Sequence, residues 1–307
     1  MKKIAVFFDQ PNFDDYPFSE NEWRQAYGEL AKIIHARGGT FFIARGDATY
    51  LGGMKFSQGW QWDGREFREV GEFQPDVIYD KSNSAVTPPF RFEANARILN
   101  PNPIVEVCND KFKTYQIFSE FAPPTEIALD EKQVATALGK IKSQQKVLKP
   151  LNAEGGAGVV IGDDATILAA EKFFPVLIQE FIDTAAGLSA DDATSHHDFR
   201  IVVVNGEIVL AGLRIPAAGK LIANISQGGT VEEFPLEKIP PAALKLVKKI
   251  DAKFASYDRA YSIDLGFENN EPKLIELNSQ PGLFSKKRGP DFANFQEKLA
   301  EVLLKLA

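Results

Sequence analysis

Short apolar runs alternate with amphipathic stretches from the first residues of the chain. KIAVFF (3–8) has the continuous apolar character of a buried strand. Behind it, Trp23, Tyr27, Leu30 and Ile34 recur at the spacing of one helical face. Ser19 and Glu22 hold capping-box spacing before that helix, and Gly38-Gly39 stop it. TFFIA (40–44) and DVIYD (76–80) predict two more strands, so the opening hundred residues read as a parallel α/β unit. The Gly- and Trp-containing segment 46–72 between them fits an irregular hairpin or a substrate loop. Residues 91–99 predict a short helix and PIVEV (103–107) a strand. Asn109 is the expected N-cap of a helix from Asp110 to Phe121, closed by Pro123-Pro124, and the first domain boundary is expected at 103–108.

The pattern then changes. Strand KVLK (146–149) runs into PLNAEGGAG and VVIG (159–162), followed by a helix over 164–174 and strand VLIQEFI (176–182). A polar stretch, 183–197, precedes strands FRIVVVNG (199–206) and IVLAGLRI (208–215). A helix over 241–255 carries Lys245 to Lys249 as a solvated face. Two β-like runs in SIDLGFENNEPKLIELNSQPG (262–282) flank the polar turn 268–272, and a last helix over 291–306 places Phe292, Phe295, Leu299, Val302, Leu303 and Leu306 at helical spacing. A turn centred on Asn270 sets Asp264 opposite Glu276, with Asn278 one diagonal step away on the same face. Like charges opposite each other destabilise a hairpin, and a hard divalent cation reverses that penalty. The alternative is a solvated surface hairpin that carries acids.

Composition narrows the class. Of 307 residues, 44% are hydrophobic and 25% charged, enough for a sizeable core in two or three domains. A net charge of −7 argues against nucleic acid as partner, and a few local cations still suffice for a phosphorylated ligand. The lone cysteine, Cys108, allows no intramolecular disulfide, is compatible with a reducing compartment, and is expected to be buried. MKKIAVFF turns polar at Asp9, too soon for a signal-peptide core, and no run approaches the ~18 apolar residues of a membrane span. The expected location is cytoplasmic, without membrane association.

Several constellations carry chemistry. Lys149-Pro150 ends an apolar strand, and Gly155, Gly156 and Gly158 follow. Glycines let backbone N–H groups approach phosphate oxygens, and lysine supplies a point charge. The spacing is not that of a P-loop, and a flexible hairpin beside a lysine is the plain alternative. Lys111 falls in the first turn of its helix, where the dipole disfavours a cation, which hints at an anionic ligand. Gln179-Glu180-Phe181-Ile182 ends a strand that either offers an edge and an apolar neighbour to a nucleobase or is a core strand with polar exit residues. Asp198 and Arg200 share a strand face and Arg214 lies on the next strand, an arrangement suited to stabilising phosphoryl charge or to surface ion pairing. His196-His197 lacks further metal-type partners and reads as a loop with two solvated histidines.

The order of these motifs from Asn109 to Gly282 resembles the ATP-grasp superfamily, and within it the bacterial glutathione synthetase and ribosomal-protein glutamate ligase branch. The motifs are Lys111; Lys149-Pro150 with its glycine loop; Gln179 to Ile182; Asp198-x-Arg200; Arg214-Ile215-Pro216; Asn224 with Gly228-Gly229; and Asp264 with Glu276-Leu277-Asn278. The resemblance implies an α/β ATP-grasp fold in three parts: an N-terminal α/β domain (1–107), a lid (108–183) and a C-terminal part with the metal site (184–307). It implies that Lys111 and Lys149 contact ATP phosphates under the loop Gly155 to Gly158. It further implies that Glu180, Phe181 and Ile182 form the adenine hinge and that Gln179, Asp198 and Asn224 lie near the nucleotide. By the same resemblance, Arg200 and Arg214 are expected to stabilise the transferred phosphoryl, and Asp264, Glu276 and Asn278 to bind Mg2+ or Mn2+. One departure stands out: Ile222 occupies a position where the family often has arginine, and the stretch 185–197 is longer than in short members.

The implied activity is an ATP-dependent ligase that joins small-molecule or peptide carboxylate and amine substrates through an acyl phosphate, with a homo-oligomer compatible with the sequence. This fits a chain with no Ser/His/Asp or Cys/His set, because the substrate brings the nucleophile. The rivals are an ATP-grasp phosphotransferase and a non-catalytic nucleotide-binding protein. Acceptor specificity has no motif. Asp9, Lys81, Ser82 and Asn83 follow strand ends at the usual ligand edge of an α/β sheet, or are ordinary loop residues.

Overall fold

The computed structural model describes residues 1–11, 17–18, 21–83, 85–151, 156–185, 188, 196–223, 228–283 and 290–307. The opening apolar run is β1 (Lys3–Phe8), buried from Ile4 onward, and is followed by α1 (Asn21–Ala36) and β2 (Thr40–Arg45). Ser19 of the expected capping box lies outside the described residues. Gly38, at φ 80°, takes the left-handed conformation that lets the chain turn back after α1. Segment 46–72 is neither a single hairpin nor an open loop. It forms β3 (Tyr50–Gly52) and β4 (Lys55–Phe56) as a small ribbon, then β5 (Gly59–Trp62) and β6 (Phe67–Val70). With β7 (Val77–Asp80) and β8 (Ile98–Leu99) the sheet order is β6-β5-β2-β1-β7-β8. Its centre is parallel, and the β5–β6 hairpin adds an antiparallel flank.

The linking segment departs from the sequence reading. Residues 91–99 form no helix: Pro89–Phe92 is a 3₁₀ turn, and Ile98–Leu99 is the short edge strand β8. PIVEV is helical, within α2 (Asn102–Asn109). Its β-branched residues favour a strand locally, but Ile104 and Cys108, four apart, bury one stripe, and that packing overrides local preference. The cap of α3 (Lys111–Phe118) is Asp110, not Asn109: the Asp110 carboxylate accepts from the N–H groups of Phe112 and Lys113.

The second sheet, β11-β10-β12-β9, is antiparallel. Its elements are β9 (Thr125–Ala128), α4 (Glu131–Lys140), β10 (Lys146–Pro150), β11 (Val160–Gly162), α5 (Asp164–Ala169) and β12 (Val176–Glu180). β9 and α4 have no counterpart in the sequence reading, and α5 stops five residues short of the expected 174. Val134, Leu138, Leu148, Ile167 and Ile178 give this layer a core of its own.

The third sheet, β15-β14-β13-β16-β17, is antiparallel. It comprises β13 (Asp198–Val204), β14 (Glu207–Ile215), the unforeseen β15 (Thr230–Glu233), β16 (Ala260–Glu268) and β17 (Glu271–Asn278). Alternation sorts its faces. Phe199, Ile201, Val203, Ile263 and Leu265 pack on α6 (Pro241–Ala252) and α2, while Val202, Val204 and Ala260 face α7 (Pro290–Leu306). The lysines of α6 at 245, 248 and 249 are exposed, as the charge run predicts. Phe292, Phe295, Leu299 and Leu303 of α7 share one core with Tyr27, Leu30 and Ile34 of α1. The first and third sheets are therefore joined by a continuous apolar core, whereas the second sheet has a core of its own.

Candidate active site

The site is built on the β16–β17 hairpin. Its turn is the two-residue pair Asn269-Asn270, with φ of 53° and 65°, rather than a five-residue turn centred on Asn270. Asparagine tolerates the left-handed region that a tight type I′ hairpin demands at both positions. Pairing from that turn runs Glu268 with Glu271 to Leu265 with Leu274. There a bulge leaves Ile275 without an opposite residue, and pairing resumes as Asp264 with Glu276, Ile263 with Leu277 and Ser262 with Asn278. The expected opposition of Asp264 and Glu276 therefore holds, through a shorter turn and a compensating bulge. The bulge also re-aims the strand, so that consecutive residues Ile275 and Glu276 both line one cleft.

Asp264 is completely buried and held by two guanidinium groups. Arg200 on β13 donates to it from Nε and Nη2 at 2.7 and 2.8 Å, and Arg214 on β14 donates from Nη2 at 2.6 Å. Arg214 also grips Asp198 with both nitrogens at 2.6 and 2.5 Å. Burial alone would raise the Asp264 carboxyl, but Arg200 and Arg214 outweigh it and hold it below the usual range. Asp198, which shares Arg214 with Asp264, is pushed up by burial and by its neighbour's charge. The side-chain nitrogen of Asn278 donates to Asp264 Oδ2 across 3.3 Å.

Lys111 and Lys149 converge on the same cleft from different layers. Lys111 Nζ lies 3.3 Å from Glu276 Oε1. Lys149 Nζ donates to Gln179 Oε1 at 2.6 Å, and Gln179 Nε2 donates to Thr125 Oγ1 at 2.8 Å, so the buried glutamine fixes the lysine. Withdrawal from water, with some repulsion from Lys111, lowers the Lys149 ammonium to about 8 against the pull of Glu276.

The cleft encloses about 990 Å³, open mouth included. Among the predicted residues, Lys111, Lys149, Gly156, Gln179, Glu180, Phe181, Ile182, Asp198, Arg214 and Glu276 line it. Arg200, Asp264 and Asn278 stand behind that lining in the hydrogen-bond network. Gly158, at φ 68°, turns against Pro150, where a Cβ would come within 2.7 Å of Cγ. Gly155 and Asn224 lie outside the described residues. The N–H groups of Glu180 and Phe181 are already spent on the carbonyls of Pro124 and Gln145. Val147, Val159, Ile161 and Ile275 add apolar lining. Ile222 does face this cleft. The histidines are not a solvated loop. His197 is buried, His196 sits with its ring 6.0 Å from that of Phe181, and both line the cleft. Their polar flanks hid this, since only the fold sets His196 and His197 against the cleft. Cys108 is buried as expected, and burial pushes its thiol up, away from nucleophilic use.

The donor chemistry at the hairpin fits a hard cation. Two carboxylates and an amide, all with oxygen donors, stand on paired strands, and Glu276 is the accessible member at 30% side-chain exposure. Asp264 Oδ1 accepts one hydrogen bond and retains a lone pair. Among the described residues no group of three His, Cys, Asp or Glu gathers into a cage. A two-carboxylate set of this kind suits a cation that takes its remaining ligands from phosphates and water.

Comparison with known proteins decides the family. The model of the RimK-like ATP-grasp domain matches residues 108–303. The chain belongs to the RimK-like ATP-grasp family. A "Probable alpha-L-glutamate ligase 2" of Pseudoalteromonas atlantica is 29% identical over 196 residues, covering 60% of each chain. A "Probable alpha-L-glutamate ligase" of Aeromonas salmonicida is 26% identical over 266 residues, covering 83% of this chain and 84% of the relative. The chain thus matches about 60% of the length of the first of these relatives. The crystal structure of a RimK domain ATP-grasp protein from Sphaerobacter thermophilus superposes with a TM-score of 0.62 at 13% identity, covering 98% of this chain and 99% of that one. The RimK-like chain therefore has the ATP-grasp fold throughout, including the first hundred residues that carry no motif. Of the two branch members it resembles in sequence, these matches fall on the glutamate-ligase side.

Proposed function

We propose that this RimK-like chain is an ATP-dependent carboxylate–amine ligase that forms an amide or peptide bond and releases ADP and phosphate. The observation that carries this reading is the convergence of Lys111, Lys149, Arg214 and Glu276 on one cleft whose lining, among the described residues, includes no Ser or Cys. The substrate carboxylate supplies it. A carboxylate oxygen attacks the γ-phosphorus of ATP, the bond to the β–γ bridging oxygen breaks, and ADP leaves. The amine nitrogen then attacks the acyl carbon, phosphate departs, and the ammonium proton is lost to solvent or phosphate. Positioning and charge stabilisation do the work, with Lys111 and Lys149 on phosphate oxygens and Arg214 beside the transferred group.

Asp264, Glu276 and Asn278 would hold magnesium, which would supply positive charge to offset that of the ATP phosphates. The adenine would lie against Phe181 and Ile182, reading the hinge through Glu180 C=O and Ile182 N–H. Residues 108–183 would act as a lid that excludes water from the acyl phosphate, with the glycine loop as its tip. The separate lid core supports this division. The names of the relatives favour a ligase over a phosphotransferase and make L-glutamate the first substrate to try, as donor or acceptor. No helix among the described residues is long and apolar enough to cross a membrane.

The test is a phosphate-release screen of amino acids and small peptides with ATP and magnesium. A productive pair yields amide, ADP and phosphate in equal amounts. A stable phosphorylated acceptor, or no ADP with any pair, contradicts the proposal.

Lys149 gives the nucleotide site a pH dependence. With its ammonium titrating near 8, the lysine is cationic below that value and neutral above it. Nucleotide affinity of the free protein therefore weakens through a break near 8, by up to about tenfold per unit, above the range in which the terminal phosphate itself ionises. Lys149→Arg moves the break above pH 9. Titration of a fluorescent ATP analogue from pH 6 to 9 reads both outcomes, and an unchanged break in the variant removes Lys149 from phosphate contact.

A further inference from the structure

The strand that carries Glu276 and Asn278 is held at its far end by another layer of the molecule. The β16–β17 ladder stops at Ser262 and Asn278. Past that rung, three consecutive carbonyls accept hydrogen bonds from side chains of the N-terminal sheet. Asn100 Nδ2 donates to Ser279 O at 2.6 Å, and Lys81 Nζ donates to Gln280 O at 3.0 Å and Pro281 O at 3.1 Å. Asn100 also donates to Ala260 O at 2.7 Å and accepts from Ala260 N at 2.7 Å. Its side-chain amide thus takes the place of a peptide group, supplying the rung that β16 and β17 no longer provide. Gln280 Nε2 returns a bond to Ser82 O at 2.6 Å. Asn100 is only 2% exposed. Lys81 follows β7 and Asn100 follows β8, so both stand at the carboxyl edge of the parallel strands.

The ladder no longer pairs these backbone carbonyls, so Asn100 and Lys81 help fix their direction, alongside Gln280 on Ser82 O and Ser279 Oγ on Asn109 Oδ1. Asn278 is the residue immediately before the clamped stretch, and Glu276 lies two further back on the same strand. We propose that Asn100 and Lys81 are positioning residues that aim Asn278 and Glu276 from the N-terminal sheet. They thereby set how strongly a divalent cation enhances nucleotide binding. This rests on the proposed metal role of the hairpin.

ADP affinity of the full chain, measured by calorimetry with and without magnesium, tests it without reference to turnover. The unmodified protein binds ADP more tightly with magnesium. Lys81→Met and Asn100→Ser each cut that enhancement at least tenfold and leave metal-free affinity, which depends on Lys111, Lys149 and the hinge, within twofold. Lys81→Arg, which can still donate to both carbonyls, restores most of the enhancement. Should Asn100→Ser fail to fold, the Lys81 pair carries the test, because Lys81 is half-buried at the sheet edge. Variants that keep the full enhancement, or lose both affinities equally, overturn the positioning role alone. An unmodified protein without any enhancement overturns the metal site and this inference with it.

Discussion

Glu276→Gln lowers turnover by about 10²–10³-fold and leaves the fold intact. Two facts separate the effects. The glutamate is 30% exposed, and its partner Lys111 stands 3.3 Å away at 17% exposure, so the pair contributes at most about 1 kcal/mol to stability. The substitution preserves shape and one oxygen donor, and removes only the charge that would balance a cation on the ATP phosphates. Its melting temperature should stay within about 3 °C of the parent, while ADP release with the productive substrate pair collapses. Activity near that of the unmodified protein would remove Glu276 from the metal set. Asp264→Asn is the poorer probe. That carboxylate is fully buried between Arg200 and Arg214, and neutralising it strands Arg200 and leaves Arg214 with Asp198 as its one carboxylate among the described residues.

Arg214→Met produces the largest loss of stability, about 3–5 kcal/mol. Arg214 is the sole bridge between Asp198 and Asp264 among the described residues, and all three side chains are at most 14% exposed. Methionine fills comparable volume, so the cost is electrostatic: one carboxylate is left without its cation and beside a second negative charge. The sign of the pH dependence follows. Asp198 already has its carboxyl raised in the folded state. A carboxyl raised on folding binds protons that the unfolded chain has lost, so stability falls as pH rises through that window. Removing Arg214 raises it further, and the variant should be more stable at pH 5 than at pH 8 by urea unfolding. Adding Asp198→Asn recovers part of the loss. A single variant that unfolds like the parent at both pH values would show that the network does not carry this energy.

Much of the site was legible because its chemistry is carried by residues at strand ends with fixed spacing. Lys149, Gln179, Asp198 and Glu276 sit where the apolar runs stop, and those runs became β10, β12, β13 and β17. What stayed hidden depends on tertiary context. The helix α2 contradicts the β-branched preference of PIVEV because a buried stripe at Ile104 and Cys108 outweighs it. The hairpin register was correct at Asp264 for an incomplete reason: a bulge at Ile275 offsets a tighter turn, and no local pattern announces a bulge. His196 and His197 read as solvated because their neighbours are polar, and only tertiary packing buries His197 and sets His196 at the cleft wall. The clamp on Ser279 to Pro281 joins residues nearly two hundred positions apart and has no local signature.

The central claim is that the substrate carboxylate is phosphorylated before the amide forms. It is tested most directly with substrate labelled with ¹⁸O in the reacting carboxylate, and mass analysis of the phosphate released. The acyl-phosphate route breaks the acyl C–O bond in the second step, so one ¹⁸O atom appears in each phosphate produced with the amide. Phosphate free of label, or release of AMP and pyrophosphate, would contradict it.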